Sequence, residues 1–188
     1  MRKTYSPRLA APAACHLFLF TLAVVGSVVG CRATPKPPAS RPAMSEGQVR
    51  LDGAGVTLTP PAGWVRKPDE RGPSNTTIAY VSPAGGTAVG VIRFTLPWAV
   101  GREWALWGFL SRMKQREGRA DLIEKTYDAK ADVTRFVAEG SRYRIRTNFY
   151  VRGTAGWAVF AGTLVDKPID ATDLRNAELA RDSAVIEE

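Results

Sequence analysis

The chain has 188 residues, enough for one domain with a sizeable hydrophobic core. It carries 26 lysine and arginine residues against 18 aspartate and glutamate residues, a formal net charge of +8, with one histidine and two cysteines. One histidine and two cysteines are too few for most zinc sites, and they limit the nucleophiles that a histidine base could activate.

The first 31 residues have the pattern of a targeting segment. Arg2, Lys3 and Arg8 precede an apolar run over residues 17–25, and Val-Val-Gly-Cys follows at residues 28–31. The run is shorter than the ~20 residues that cross a bilayer, and it follows a short basic region, which favours a cleaved leader. A transmembrane anchor or an ordinary secretory leader is the alternative.

This segment resembles a bacterial lipoprotein signal peptide, with Val-Val-Gly-Cys as the lipobox. The resemblance implies that signal peptidase II cuts between Gly30 and Cys31 and that the Cys31 thiol carries a diacylglyceryl group. Each buried methylene contributes about 0.8 kcal/mol, so two or three acyl chains give a lasting membrane anchor. We therefore expect a domain outside the cytoplasm, lipid-anchored to a bacterial membrane in the cell envelope. The inner and outer membranes both stay open.

Removal of residues 1–30 changes the chemistry that is available. It takes away Cys15, the single histidine His16 and three basic residues, which lowers the formal charge from +8 to +5. The remaining Cys31 is committed to lipid, so we predict no intramolecular disulfide, no histidine-activated nucleophile, no metal site and no cofactor. No catalytic residue is assigned, and carboxylate chemistry stays open as the enzymatic alternative.

Residues 31–47 are predicted to be the lipidated cysteine and a tether. Prolines stand at positions 35, 37, 38 and 42, among residues that have little to pack. Such a composition favours extended polyproline geometry at about 3.1 Å per residue and acts as a semi-rigid spacer. Fully extended, the tether would hold the domain up to about 50 Å from the lipid.

Residues 48–188 are predicted to form a single globular domain. After a strand over 56–59, strands over 76–81 and 87–95 form a hairpin across a Ser-Pro-Ala-Gly-Gly turn. A helix over 102–117 follows, whose core stripe consists of Leu106, Phe109, Leu110 and Met113.

Three antiparallel strands and a second helix complete the prediction. The strands span 130–138, 142–151 and 157–165, and Asp170 or Thr172 caps a helix over 173–186. In the middle strand apolar and polar residues alternate, as in a sheet that is covered on one side. The order predicts an α+β domain with an antiparallel sheet of about five strands flanked by helices.

The stretch Leu-Thr-Pro-Pro-Ala-Gly-Trp at residues 58–64 is similar to the opening of PsbP-like domains. Glu139-Gly140, Tyr143-Arg144-Ile145 and the strand and helix that follow are similar to the rest of that family's order. The resemblance implies an α/β/α sandwich and a non-catalytic role as the extrinsic partner of a larger assembly. It assigns no functional residue in this chain.

One candidate binding surface is an arginine face on the middle strand. Arginine presents a planar fork that suits phosphate and carboxylate, so this face predicts an anionic headgroup, a glycan polymer or an acidic partner. The face consists of Arg142, Arg144, Arg146 and Arg152, with Arg135 on the neighbouring strand.

The alternative for the arginine face is structural. It would keep the strand solvated, or it would lie under the final helix, which is acidic at Asp173, Glu178 and Asp182. We predict no nucleic-acid partner, because the expected compartment holds none and only Tyr150 adds an aromatic ring to this face.

Trp98 and Trp104 are the other candidate contacts. Large aromatic side chains are mostly buried, so the ordinary expectation is that both pack under a loop. Trp104 nevertheless lies on the helix side opposite the core stripe, near Gly108, Ser111 and Gln115. The functional alternative is an exposed anchor for a partner protein.

These patterns predict a membrane-anchored envelope lipoprotein with a non-catalytic partner-binding or assembly domain. Its partners would be membrane lipid through Cys31 and an unidentified envelope protein or polymer. The alternatives are a histidine-free carboxylate hydrolase of an envelope polymer and a binder of anionic ligands through the arginine face.

Overall fold

The computed structural model describes residues 44–45 and 47–187, so the predicted leader, the cleavage site at Gly30 and Cys31 and most of the predicted tether lie outside the described residues. The helices are α1 (Arg102–Glu117) and α2 (Ala171–Asp182). The strands are β1 (Val49–Leu51), β2 (Val56–Leu58), β3 (Val65–Arg66), β4 (Glu70–Arg71), β5 (Asn75–Val81), β6 (Thr87–Thr95), β7 (Asp121–Asp128), β8 (Val133–Glu139), β9 (Tyr143–Arg152), β10 (Ala155–Leu164) and β11 (Val185–Ile186).

Eight of the strands form one antiparallel sheet. Their order is β3-β5-β6-β10-β9-β8-β7, and β4 also pairs with β5. The predicted α+β class with an antiparallel sheet is confirmed, but the prediction of about five strands is wrong. The additional strands are β3 and β4, with two residues each, and β7, whose residues are almost all exposed and show no apolar alternation.

A second sheet has three short strands in the order β1-β2-β11. The predicted final helix was expected to reach residue 186, but it ends at Asp182. Ser183 is the reason, since its hydroxyl donates to the Ala180 carbonyl at 2.7 Å and accepts from the Thr59 backbone N–H at 2.9 Å. The chain after it then pairs with β2 as β11.

The large sheet is covered on both faces. On one face α1 packs over a core that includes Phe94, Phe136 and Phe149. On the other face α2 and the small sheet enclose a core that includes Val56, Val159 and Ala177. The central strands β6, β9 and β10 contribute side chains to both cores, because successive side chains of a strand point to opposite faces of the sheet.

Helix α1 follows its sequence signals closely. Gly118 adopts a φ of 75°, the left-handed conformation that a residue without Cβ takes at a helix end. Phe109 on the predicted inward stripe meets the rings of Phe94, Phe136 and Phe149 at centroid distances of 6.2, 5.9 and 5.7 Å. The outer side of α1 is therefore not needed for the core.

Helix α2 begins at one of the two caps that the sequence offers. The Asp170 carboxylate accepts hydrogen bonds from the backbone N–H groups of Thr172 and Asp173, at 2.9 and 3.2 Å. The cap satisfies two N–H groups that have no partner inside the helix.

Gly156 and Gly108 provide a matched pair of glycine-to-alanine substitutions. Gly156 pairs with Phe94 across β10 and β6, and a Cβ at this position would overlap the Phe94 ring. We expect Gly156→Ala to destabilise the domain by about 1–3 kcal/mol through overpacking. A Cβ at Gly108 meets nothing within 4 Å, so Gly108→Ala should stabilise α1 by about 0.5–1 kcal/mol. Denaturant unfolding measures the free energy of unfolding of each variant. An equal change in the two would contradict the tight packing of β10 on β6.

Candidate interaction surfaces

The predicted arginine face is paired with carboxylates of the same chain. Arg144 Nε donates to Glu139 Oε2 at 2.7 Å, and Arg146 Nε lies 3.2 Å from Glu178 Oε1 on α2. Arg135 Nη1 contacts Asp128 Oδ2 at 3.2 Å, and Arg152 is exposed at the end of β9. The acidic final helix covers part of this face, which is the structural alternative that the sequence left open.

Arg142 does not belong to this face. It precedes β9 and reaches the last residue of α1, where Nη2 and Nε contact the two oxygens of Glu117 at 2.7 and 3.1 Å. The Glu117 side chain is only 9 % exposed, and hydrogen bonding to it raises the pKa of Arg142. A bidentate pair of this kind stabilises a carboxylate at the unfavourable, negative end of a helix.

A polar seam lies where α2 meets β9 and β10. Asn148 donates from Nδ2 to Asp182 Oδ1 at 3.0 Å, and Asn176 and Thr163 are also buried there. Burial acts to raise the pKa of Asp182, but the hydrogen bonds and charge of Arg181, with the Asn148 amide, outweigh it and hold this pKa below its usual value. The carboxylate at this seam is therefore structural.

Tryptophans form the prominent exposed surface of the domain. Trp98, in the loop before α1, is 66 % exposed, and Trp104 and Trp107 on α1 are 71 % and 65 % exposed. The expectation that Trp98 and Trp104 pack under a loop is wrong, because both side chains are mostly exposed; for Trp104, the inward stripe of α1 already fills the core beneath the helix. Trp107 was not a predicted site residue, although its helical position one turn after Trp104 gave the signal.

Trp104 and Trp107 form a tryptophan pair. Their ring centroids are 5.9 Å apart and the ring planes meet at 70°, an edge-to-face arrangement. Together with Glu103 they line an open cleft of about 310 Å³. This cleft is mainly apolar, with one carboxylate at its side.

A second pocket lies at the amino-terminal end of α1. It measures about 190 Å³, and its lining includes Phe149, Val151, Arg102 and Asp132. Arg102 Nη1 lies 3.5 Å from Asp132 Oδ1. Glycoside hydrolysis needs two carboxylates about 5–9.5 Å apart across a cleft. Each of these two pockets presents one carboxylate, so neither supplies that pair.

Between residues 44 and 187, leaving out residue 46, no cluster of three or more histidine, cysteine, aspartate or glutamate side chains could hold a metal ion.

In the same residues, neither helix has the length and apolar character to cross a bilayer.

Comparisons with known proteins provide no family. No family model matches the chain, and no curated protein matches it. A solved crystal structure from Bacteroides thetaiotaomicron is similar with 10 % sequence identity and a TM-score of 0.39, covering 75 % of this chain and 48 % of that chain. The chain thus spans about half of that protein, and a likeness of this degree carries no argument about function.

The polar seam predicts a dependence of stability on pH. The folded pKa of Asp182 is lowered, so its stabilising effect is complete above the unfolded value of about 4 and is lost as the pH falls through the folded value. Asp182→Asn should therefore flatten the loss of stability below pH 4, as measured by denaturant unfolding at several pH values. Asp166→Asn, in the exposed loop after β10, is the control and should leave the profile unchanged. An unaltered profile in Asp182→Asn would contradict this assignment.

Proposed function

We propose that the chain is a bacterial envelope lipoprotein whose domain binds a partner without catalysing a reaction. Residues 1–30 would be the leader, Cys31 would carry the lipid, and the proline-rich residues up to 47 would connect it to the domain. The support for this anchor is the basic region, the apolar run and the lipobox pattern of the sequence. The domain would lie outside the cytoplasm, on the inner or the outer membrane.

The tryptophan pair is the observation that carries the partner-binding role. Tryptophan is over-represented among the residues that dominate binding energy at protein interfaces. Two such rings, about two-thirds exposed and in mutual contact, present apolar area that the core does not use. Trp98 adds a third exposed ring in the loop that leads into the same helix.

The PsbP-like relationship belongs to this proposal. A helix on each face of the large sheet is the layering of the α/β/α sandwich that the resemblance implies. The family's non-catalytic, assembly-associated roles agree with a domain whose prominent surface is aromatic.

An anionic-ligand role is a weaker candidate. Glu139 contacts two arginines, Arg119 at 3.1 Å and Arg144 at 2.7 Å, and its side chain is only 12 % exposed. An anion would have to displace such contacts, so the arginine face favours a structural role.

The anchor is tested by replacing the cysteine. Cys31→Ser should move the protein from the membrane fraction to the soluble fraction and abolish incorporation of labelled palmitate, because the thiol is the site of lipid attachment. Mass spectrometry of the mature wild-type protein should find its amino terminus at Cys31 with the mass of the acyl chains added. A mature protein with an unmodified thiol would contradict the anchor.

The partner surface is tested by site-specific photo-crosslinking in intact cells. A crosslinking amino acid at position 104 or 107 should capture a defined partner, because these side chains would lie at the centre of the contact. The control is position 115, which is exposed on the same outward stripe of α1 but two to three turns away. Trp107→Ala should abolish co-purification while changing stability by less than about 0.5 kcal/mol. Equal capture at 107 and 115 would contradict the assignment.

A further inference from the structure

The small pocket at the amino-terminal end of α1 brings two opposite charges and apolar surface together. We propose that this pocket binds a free α-amino acid with a small apolar side chain, whose carboxylate contacts Arg102 and whose ammonium group contacts Asp132. The pocket shares no lining residue with the cleft of the tryptophan pair. This binding site is therefore separate from the proposed partner contact and adds to it.

Distant parts of the chain meet to form the pocket. They are the loop before α1 with the first residue of the helix, the turn between β7 and β8 with the start of β8, and the strand β9. The volume of about 190 Å³ is the share of about six water molecules in liquid water, which suits a small amino acid. The lining residues that matter for binding are Val100, Arg102, Asp132, Thr134, Phe149 and Val151.

The Arg102 guanidinium group is held in place and still has hydrogen-bonding capacity to offer. Its central carbon lies 3.5 Å from the centroid of the Tyr127 ring, a cation–π contact. Its Nη1 is buried and has no hydrogen-bond partner among the described residues, because the 3.5 Å contact to Asp132 Oδ1 is longer than a hydrogen bond. A buried N–H group without an acceptor is unfavourable, so an acceptor on a ligand would be stabilising.

Asp132 provides the opposite charge at the same place. The Tyr127 hydroxyl donates to Asp132 Oδ1 at 2.8 Å, so one tyrosine orients both charged groups. An ionised carboxylate has room for about four hydrogen bonds, and this one can still accept from an ammonium group. The side chains of Arg102 and Asp132 are 40 % and 67 % exposed, so a ligand in the pocket can reach both.

A neighbouring positive and negative group select a ligand that carries both charges. A simple anion at Arg102 would meet the negative charge of Asp132, and a simple cation at Asp132 would meet the positive charge of Arg102. The ammonium group and the carboxylate of an α-amino acid are joined through one carbon atom, so they can contact two groups that are only 3.5 Å apart. The positive end of the α1 dipole also favours the carboxylate beside Arg102, the first residue of the helix.

The rest of the lining favours a small apolar side chain over a sugar. Val100, Phe149 and Val151 add apolar surface beside the charged pair. A sugar would need an open aromatic face on which to stack. The one ring in the lining, Phe149, is only 2 % exposed, and the Arg102 guanidinium group already lies against the nearby Tyr127 ring.

Equilibrium dialysis of the full chain, purified in detergent, with isotope-labelled L-valine tests the site. Saturable binding is expected. Isovalerate lacks the ammonium group of valine, isobutylamine lacks its carboxylate, and both keep its side chain. Each should compete at least about tenfold more weakly than unlabelled valine, because each leaves one charged group of the pocket without its partner.

Two variants test the roles of the charged residues. Arg102→Gln and Asp132→Asn should each weaken valine binding at least about tenfold. Asparagine tolerates the φ of 47° at position 132, so the turn should keep its conformation. Asp132→Asn should also lose the preference for valine over isovalerate, which a loss of structure alone would not produce. Arg112→Gln, at an exposed arginine of α1 outside the pocket, is the control and should leave the affinity unchanged.

Any of three results would overturn the assignment. They are no saturable binding of valine, competition by isovalerate or isobutylamine that equals competition by valine, and unchanged affinity in both Arg102→Gln and Asp132→Asn. The competition experiment uses the unaltered chain, so it decides the matter even if a variant fails to fold. The crosslinks at positions 104 and 107 test the proposed function independently of this site.

Discussion

The burial of β10 on both faces is the constraint on which the rest of the structure depends. Seven of its residues are buried, and their side chains alternate between the two cores, as Ala158 and Val159 do. Such a strand needs a covering layer on each side of the sheet. Trp157 fixes one of these layers, because its indole N–H donates to the Ala54 carbonyl in the β1–β2 turn at 2.7 Å.

This constraint separates the structural aromatics from the available ones. The one ring that α1 turns inward, Phe109, contacts the rings of Phe94, Phe136 and Phe149 and completes the core over the sheet. The tryptophan pair has no such role, since it projects from the opposite side of the same helix. The arginines differ from the tryptophans. Most of those that the sequence placed on one face form ion pairs with carboxylates elsewhere in the chain. Charge is therefore the better guide to folding here, and the exposed aromatic rings carry the proposed partner contact.

Sequence patterns predicted the local features and missed those that depend on distant contacts. Gly118 ends α1 and Asp170 begins α2, because a helix end is determined by a few neighbouring residues. β7 was missed because an exposed edge strand needs no apolar alternation. The partners of Arg142 and Arg146 lie 25 and 32 positions away in Glu117 and Glu178, so only the folded chain reveals them. For Trp104, helical position was the better predictor than the burial statistics of tryptophan.

The exposed edge strand β7 affects how two copies of the domain could pair. Its ladder to β8 has a register shift between Leu122 and Glu124, an irregularity that distorts an edge. If two copies paired antiparallel through β7 about a twofold axis, their sheets would become continuous. The residue of β7 at the axis would then lie opposite the same residue of the other copy. At the middle of β7 that residue is Glu124 or Lys125, so like charges would meet directly. This edge thus disfavours the edge-to-edge pairing of two copies, while the helix surface on one face of the sheet stays available for a different contact.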